Sequence, residues 1–491
     1  MAEATDARTR TESDSLGSME IPADAYWGIH TARALENFPI SRRPVSVYPD
    51  FVRAFGSVKK AAALANVEVG VLSPEKAELI IAACEDVQSG LLDEQFVVGI
   101  IQGGAGTSTN MNANEVIANR ALELAGHPKG EYSFIHPIDD VNRSQSTNDV
   151  YPTALKIGLC LGILGLVTEL DRLRVSFGEK GREFAHQLKV GRTQLQDAVP
   201  MTLGQEFRGF AVTLGEDHAR LRETLPLLYE HNLGATAIGT GITADRRYAE
   251  AVNRHLRAVT GFDHSTAGDL VEATSDAGVF MTLSGAMKRS AIKLSKICND
   301  LRLLSSGPQA GLGEINLPPR QAGSSIMPGK VNPVIPEVVN QIAFSIAGAD
   351  VTVTMAAEAG QLQLNAFEPV IAHSLLQSLS WLRRGCRTLR ENCVDGITAN
   401  GERLDQMVAS SVGVITALTP YIGYAAAASL AKEALAGRRD VADLVVERGL
   451  LTRSEVSGLL ALERLSGESP VTAPIPTLPP VLPQAAPPTG R

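Results

Sequence analysis

Residues 323–341 read Gly-Ser-Ser-Ile-Met-Pro-Gly-Lys-Val-Asn-Pro-Val-Ile-Pro-Glu-Val-Val-Asn-Gln, a loosened loop that runs straight into a helical pattern. Gly323 and Gly329 free the backbone on either side of Ser324 and Ser325. Asn332 followed by Pro333 has the form of an N-cap with proline at the first helical position, so a helix is expected from about Asn332. The free N–H groups and positive dipole end of such a start attract an anion, and Lys330 adds a full positive charge two residues earlier. A carboxylate suits this stretch. An isolated Gly-Ser-Ser is more often a plain surface linker, so the rest of the chain has to decide.

The 491 residues suffice for two or three domains or one large helical body, and 44% hydrophobic with 20% charged residues is a soluble globular balance. A formal charge of −9 leaves no basic stripe to replace counterions, which argues against a nucleic-acid partner. An anionic substrate would have to be drawn in locally. The five cysteines, Cys84, Cys160, Cys298, Cys386 and Cys393, are scattered and never form a Cys-x-x-Cys pair, so neither a disulfide framework nor a zinc site is indicated. The N-terminal stretch lacks an apolar signal region, and the longest uninterrupted apolar run, 157–167, is short for a bilayer. A cytoplasmic protein with no membrane anchor is expected.

Hydrophobic periodicity predicts an all-α protein. Residues 1–18 are polar and expected to fray; 19–145 read as a mostly helical N-terminal domain. A central domain, 146–398, carries five long helical patterns at about 150–188, 203–231, 272–304, 336–359 and 367–394, which suit a bundle. A small helical domain, 399–467, follows, and then a proline-rich tail, 468–491, expected to be disordered and dispensable for activity. The bundle helices are too apolar for a single bundle to cover, so bundles from several subunits are expected to pack together.

Four polar loops punctuate this pattern: Thr107–Ser108, Ser146–Thr147–Asn148, Thr193–Gln194, and Ser324–Ser325 with Lys330 and Asn332. The first sits in a glycine-rich run but lacks the Gly-Lys-[Ser/Thr] ending of a nucleotide phosphate loop. Each alone is more often a helix cap than a site. Together they supply hydroxyls, amides and helix N-termini with one cation, the composition of a pocket for a small dicarboxylate. A further glycine-rich connection, 234–245, can approach something closely.

Residues 323–333 resemble the signature of the aspartase/fumarase superfamily, and 334–341 look like its ammonia-lyase branch rather than its hydratase branch. Matching blocks stand in order at 104–115, 145–149, 191–200, 239–241 and 412–424, so the resemblance covers about 16–465. It implies a three-domain helical fold, a homotetramer with a shared helical core and active sites built from three subunits. It also implies elimination of ammonia from L-aspartate to give fumarate, without an organic cofactor; divalent-cation activation stays open.

By the same resemblance, Ser324 removes the C3 proton, aided by Lys330 and nearby N–H donors. Thr107, Ser146, Thr147 and Ser325 would bind the carboxylate on which charge accumulates, Lys330, Thr193 and Asn332 the other one, and Asn148 with Gln194 the leaving amino group, with Ser108 also among the substrate-binding residues. Many members carry histidine where this chain has Gln194, and glutamine has no titratable proton to give a departing hydroxide. Ammonia needs none, so deamination fits better than dehydration. Glu337, which supports that histidine in the family, is expected either to bond Gln194 or simply to favour the first turn of its own helix. Fumarate hydratase, a deaminase of a substituted aspartate, and a silent dicarboxylate-binding scaffold are the alternatives. Loss of Ser324 or Lys330 would mark the last, and both are present.

Overall fold

The computed structural model describes residues 8–437, 439–461 and 465; the tail 468–491 lies outside them. From Thr9 on, the stretch that the sequence suggests would fray is ordered. Strands β1 (Thr9–Asp14) and β2 (Gly17–Pro22) form an antiparallel hairpin. Arg10 holds it down through the carbonyls of Ala25 and Trp27, and Arg33 grips Asp14 with two nitrogens. Arg33 lies on α1 (Ile29–Asn37). These pairings link residues far apart in sequence, which is why polarity alone suggested a loose end.

Helices α2 (Pro49–Glu68), α3 (Pro74–Ser89) and α4 (Thr107–Leu124) complete the N-terminal part. Pro74 follows the capping Ser73 as expected of a helix start. The bundle consists of α5 (Thr147–Glu183), α6 (Leu203–Glu223), α9 (Gly278–Leu304), α10 (Val334–Glu358) and α11 (Glu368–Asn392). Helix α5, 37 residues and so about 55 Å long, packs against α2, α6 and α11. Between α5 and α6 stands a hairpin of β3 (Leu188–Thr193) and β4 (Gln196–Thr202). Between α6 and α9 lie α7 (Tyr248–Thr260) and α8 (Leu270–Ser275), with a short parallel pair β5 (Glu230–His231) and β6 (Ser265–Thr266). The expected single helix to residue 231 therefore stops at Glu223, and the one expected from 272 is divided near Asp276.

Beyond the bundle, β7 (Ile315–Asn316) pairs with β8 (Thr398–Ala399), after which α12 (Gly401–Ser410), α13 (Ile415–Ile422), α14 (Tyr424–Gly437), α15 (Val441–Glu447) and α16 (Arg453–Leu459) follow. Helices α13 to α16 share their own small core around Leu418, Leu430 and Leu444, apart from the main one.

The short apolar run in the sequence understated two helices. By length and composition α5 and α10 could each cross a membrane. Helix α5 is the buried centre of the bundle, whereas only 33% of the apolar window of α10 is covered within the chain, leaving Val338, Phe344, Val351 and Met355 exposed. All five cysteines are buried and unpaired.

Candidate active site

The first two loops are built into one another. Gly106 precedes α4 at φ +87°, and a Cβ there would come within 2.2 Å of the Tyr151 ring, so only glycine lets loop and helix α5 approach. Ser146 caps α5: its Oγ accepts from Asn148 N at 3.2 Å, and Asp149 returns the bond by accepting from Ser146 N at 3.0 Å. From α4, Asn110 donates to Thr147 Oγ1 and to Asn142 Oδ1, both at 3.1 Å. Asn142 Oδ1 also accepts from Asn114 and from the fully buried Lys59, whose Nζ reaches Gln145 as well.

Asp149 completes this anchoring, with its other oxygen accepting from Thr236 N at 2.9 Å in the glycine-rich connection. Burial pushes the Asp149 carboxyl up to about 7 and pulls the Lys59 ammonium down to about 7, while each partly offsets the shift of the other. Pro152 lies in the first turns of α5 and has no N–H to give to the carbonyl of Asn148. Asn232 Nδ2 takes that carbonyl at 3.0 Å instead. Asn148 in turn donates to Ala237 O at 2.7 Å. The segment 232–237, which leads into the glycine-rich connection, is thus tied to the start of α5 by these three hydrogen bonds.

The chemistry left over follows from these bonds. Ser146 and Thr147 both use their hydroxyl oxygens as acceptors, so each O–H can donate to an anion. Thr107 differs: its hydroxyl donates to Gly104 O at 2.8 Å. Asn148 keeps its amide oxygen, an acceptor suited to an ammonium group.

The Ser324 loop closes on itself. Gly323 N donates to Lys330 O at 2.8 Å, and Asn332 Nδ2 donates to Gly323 O at 2.7 Å. A Cβ on Gly323 would sit 2.4 Å from that Lys330 oxygen, which fixes glycine there. Asn332 is therefore the latch of the loop rather than the cap of α10, which begins at Val334 after Pro333. Ser324 Oγ accepts from Ile326 N at 3.1 Å and Met327 N at 2.9 Å. Two N–H groups aimed at one hydroxyl oxygen favour its deprotonated form. Ser325 and Lys330 are exposed.

The third loop is the tip of the β3–β4 hairpin. Thr193 pairs with Gln196, and the two residues between them, Gln194 and Leu195, stand at φ +54° and +63°. Left-handed side-chain-bearing residues cost about 1–2 kcal/mol each and gather where a site requires them. The tip is exposed in the single chain. Among the described residues no hydrogen bond joins Gln194 to Glu337, or the Ser324 loop to the other three. The fold brings the Thr107 and Ser146 loops together and keeps the hairpin tip and the Ser324 loop on their own.

The reading by loops missed Lys59, Asn110 and Asn142, and it left unnamed the N–H donors beside Ser324, which are those of Ile326 and Met327. A signal existed for part of this: Asn110, Asn112 and Asn114 recur along one helix, all of them buried. Among the described residues no cluster of three or more His, Cys, Asp or Glu is arranged to hold a metal ion.

A family profile described as "Lyase" matches residues 17–348, and one described as "Fumarase C C-terminus" matches 414–467. Proteins named aspartate ammonia-lyase are 57% identical in Pseudomonas aeruginosa, over 94% of this chain and 97% of that one, and 53% identical in Escherichia coli, over 93% and 96%. A crystal structure described as fumarate lyase:delta crystallin from Brucella melitensis bound to cobalt is 56% identical, with TM-score 0.91 over 94% of this chain and 100% of that one. Class II fumarase from Schistosoma mansoni is 34% identical, with TM-score 0.86 over 94% and 99%. The chain belongs to the aspartase/fumarase superfamily of lyases.

Proposed function

We propose that this chain is an aspartate ammonia-lyase that converts L-aspartate to fumarate and ammonium, reversibly. The observation that carries this reading is the 53–58% identity to proteins of that name over nearly the whole chain. The two N–H bonds onto Ser324 Oγ support its chemistry. A serine hydroxyl is a weak base at neutral pH, and its alkoxide needs such donors together with the Lys330 charge.

In this mechanism Ser324 takes the C3 proton and an aci-carboxylate develops beside it. Ser146 and Thr147, with O–H groups left to donate, bind that carboxylate more tightly as its charge grows, with Ser325 and the first-loop residues Thr107 and Ser108 completing the cradle. Thr107 must turn its hydroxyl from Gly104 to join them. Such donors are typically worth about 10²–10³ in rate each. Lys330, Thr193 and the second N–H of the Asn332 amide hold the other carboxylate. The Asn148 oxygen and Gln194 flank the departing ammonia, which leaves without a general acid.

The active sites are shared in a cytoplasmic homotetramer. The isolation of the hairpin tip and the Ser324 loop within one chain supports this, as do the exposed apolar residues of α10, which suit burial against other copies. Glu337 then meets Gln194 across subunits.

Fumarate absorbance followed with L-aspartate and L-malate supplied separately tests the reading. Aspartate alone is expected to give fumarate, and Ser324→Ala to lose about 10²–10⁴-fold in kcat. A rise with malate alone would make the chain a hydratase, and full activity in Ser324→Ala would remove the base.

A further inference from the structure

The hairpin tip carries Gln194 and Leu195 in left-handed conformations that glycine or asparagine ordinarily fill. Leu195 is 71% exposed, so packing of its side chain does not hold the turn. The restraint lies at the root. Lys189 and Arg192 both lie on β3, and residues three apart on a regular strand point to opposite faces. A bulge between Val190 and Arg192 cancels that alternation.

Both cations therefore reach one carboxylate, Glu314. Lys189 Nζ stands 2.7 Å from Glu314 Oε2, and Arg192 Nη1 donates to Glu314 Oε1. Lys189 also pairs with Glu206 at 2.5 Å. Glu314 is completely buried, and its main chain is pinned on both sides: its N–H donates to Leu304 O, and its carbonyl accepts from Asn400 N. A rigid buried anion thus grips the strand on each side of the bulge, directly behind the tip.

We propose that Glu314 is a positioning residue for the lyase reaction. It fixes the angle at which Thr193 and Gln194 meet the substrate. The proposal rests on the reading, given above, that this tip touches substrate. It assigns Glu314 a task beyond stability, which a double-mutant cycle separates from a purely structural one.

The experiment measures kcat and KM for L-aspartate, with melting midpoints, on the tetramers of wild type, Gln194→Ala, Glu314→Gln and the double variant. Gln194→Ala is expected to lower kcat/KM about 10²-fold, and Glu314→Gln about 10-fold or more through misplacement of the tip. The double variant should lose distinctly less than the product of the two single losses, because part of the Glu314→Gln effect acts through Gln194. Multiplied losses, or a lowered midpoint with unchanged kcat/KM in Glu314→Gln, would overturn the positioning role. Unchanged kcat/KM in Gln194→Ala would instead overturn the substrate contact at the tip, and the positioning role with it. If Glu314→Gln does not fold, Arg192→Lys, which keeps the charge but shortens the grip, carries the same cycle and the same criteria.

Discussion

The Ser146 loop and the Ser324 loop both present serines to the proposed substrate, yet they are held in different ways. Behind Ser146 stands a buried scaffold: Asp149 binds Ser146 N and Thr236 N, Asn110 reaches Thr147, and Lys59 holds Asn142 and Gln145. Among the described residues the Ser324 loop is tied by hydrogen bonds within itself, Gly323 to Lys330, Asn332 to Gly323, and Ile326 and Met327 to Ser324, and most of it faces solvent. The Ser146 and Thr147 part of the proposed carboxylate cradle is thus preorganised by folding alone, which is what stabilises charge without reorganisation during reaction. The loop of the proposed base is shaped locally. Stability and activity should therefore respond together at the first loop and separately at the second.

Asp149→Asn should show the largest effect. An amide cannot accept both backbone N–H groups as the carboxylate does, and its NH₂ would face donors, so stability should fall by about 3 kcal/mol, with kcat dropping as Ser146 and Thr147 lose their aim. Denaturant unfolding and turnover check both. A variant that keeps its stability would show that the Ser146 loop is not rooted in this carboxylate.

Asn332→Ala comes next. Opening the Gly323 latch should cost about 10–10²-fold in kcat/KM while leaving the melting midpoint near that of wild type. A midpoint shift as large as that of Asp149→Asn would erase the distinction between the loops.

The smallest effect is a pH slope. His231 lies at the head of the connection that Asp149 holds, with Nδ1 accepting from Leu233 N and burial pulling its pKa down to about 3. An unfolded histidine takes its proton near 6.5, so the stability His231 gives is complete above that pH. It is lost as pH falls, by about 1.4 kcal/mol per unit towards 3. His231→Gln lacks this slope. Its deficit against wild type at pH 7 should therefore narrow by pH 5, as read from unfolding at both values, and a constant deficit would count against a buried neutral imidazole.

How much of this was legible depended on the range of the code involved. Ser146 as a cap and the five bundle helices rest on neighbours within a few turns, and periodicity or the Ser-x-x-Asp spacing exposes them. Asn332 deceived the reading because Asn-Pro is a cap signature, while its amide instead reaches back nine residues to Gly323. Lys59 sits beneath Asn142 and Gln145 across more than eighty residues of chain, and no local pattern announces such a pairing. The N-terminal hairpin failed for the same reason, since Arg10, Glu12 and Asp14 find their partners on other elements. The proposed substrate residues themselves were legible as polar clusters; their division into a rooted pair of loops and two isolated ones was not.

That division leads to the claim that one active site draws its loops from different subunits. Inactive Ser324→Ala tetramers and inactive Thr147→Val tetramers, dissociated together and reassembled, test it most directly. Shared sites predict that mixed tetramers regain part of the wild-type rate of fumarate formation, because some sites then pair an intact Ser324 loop with an intact Thr147 loop. Mixed tetramers that stay as inactive as their parents would contradict it.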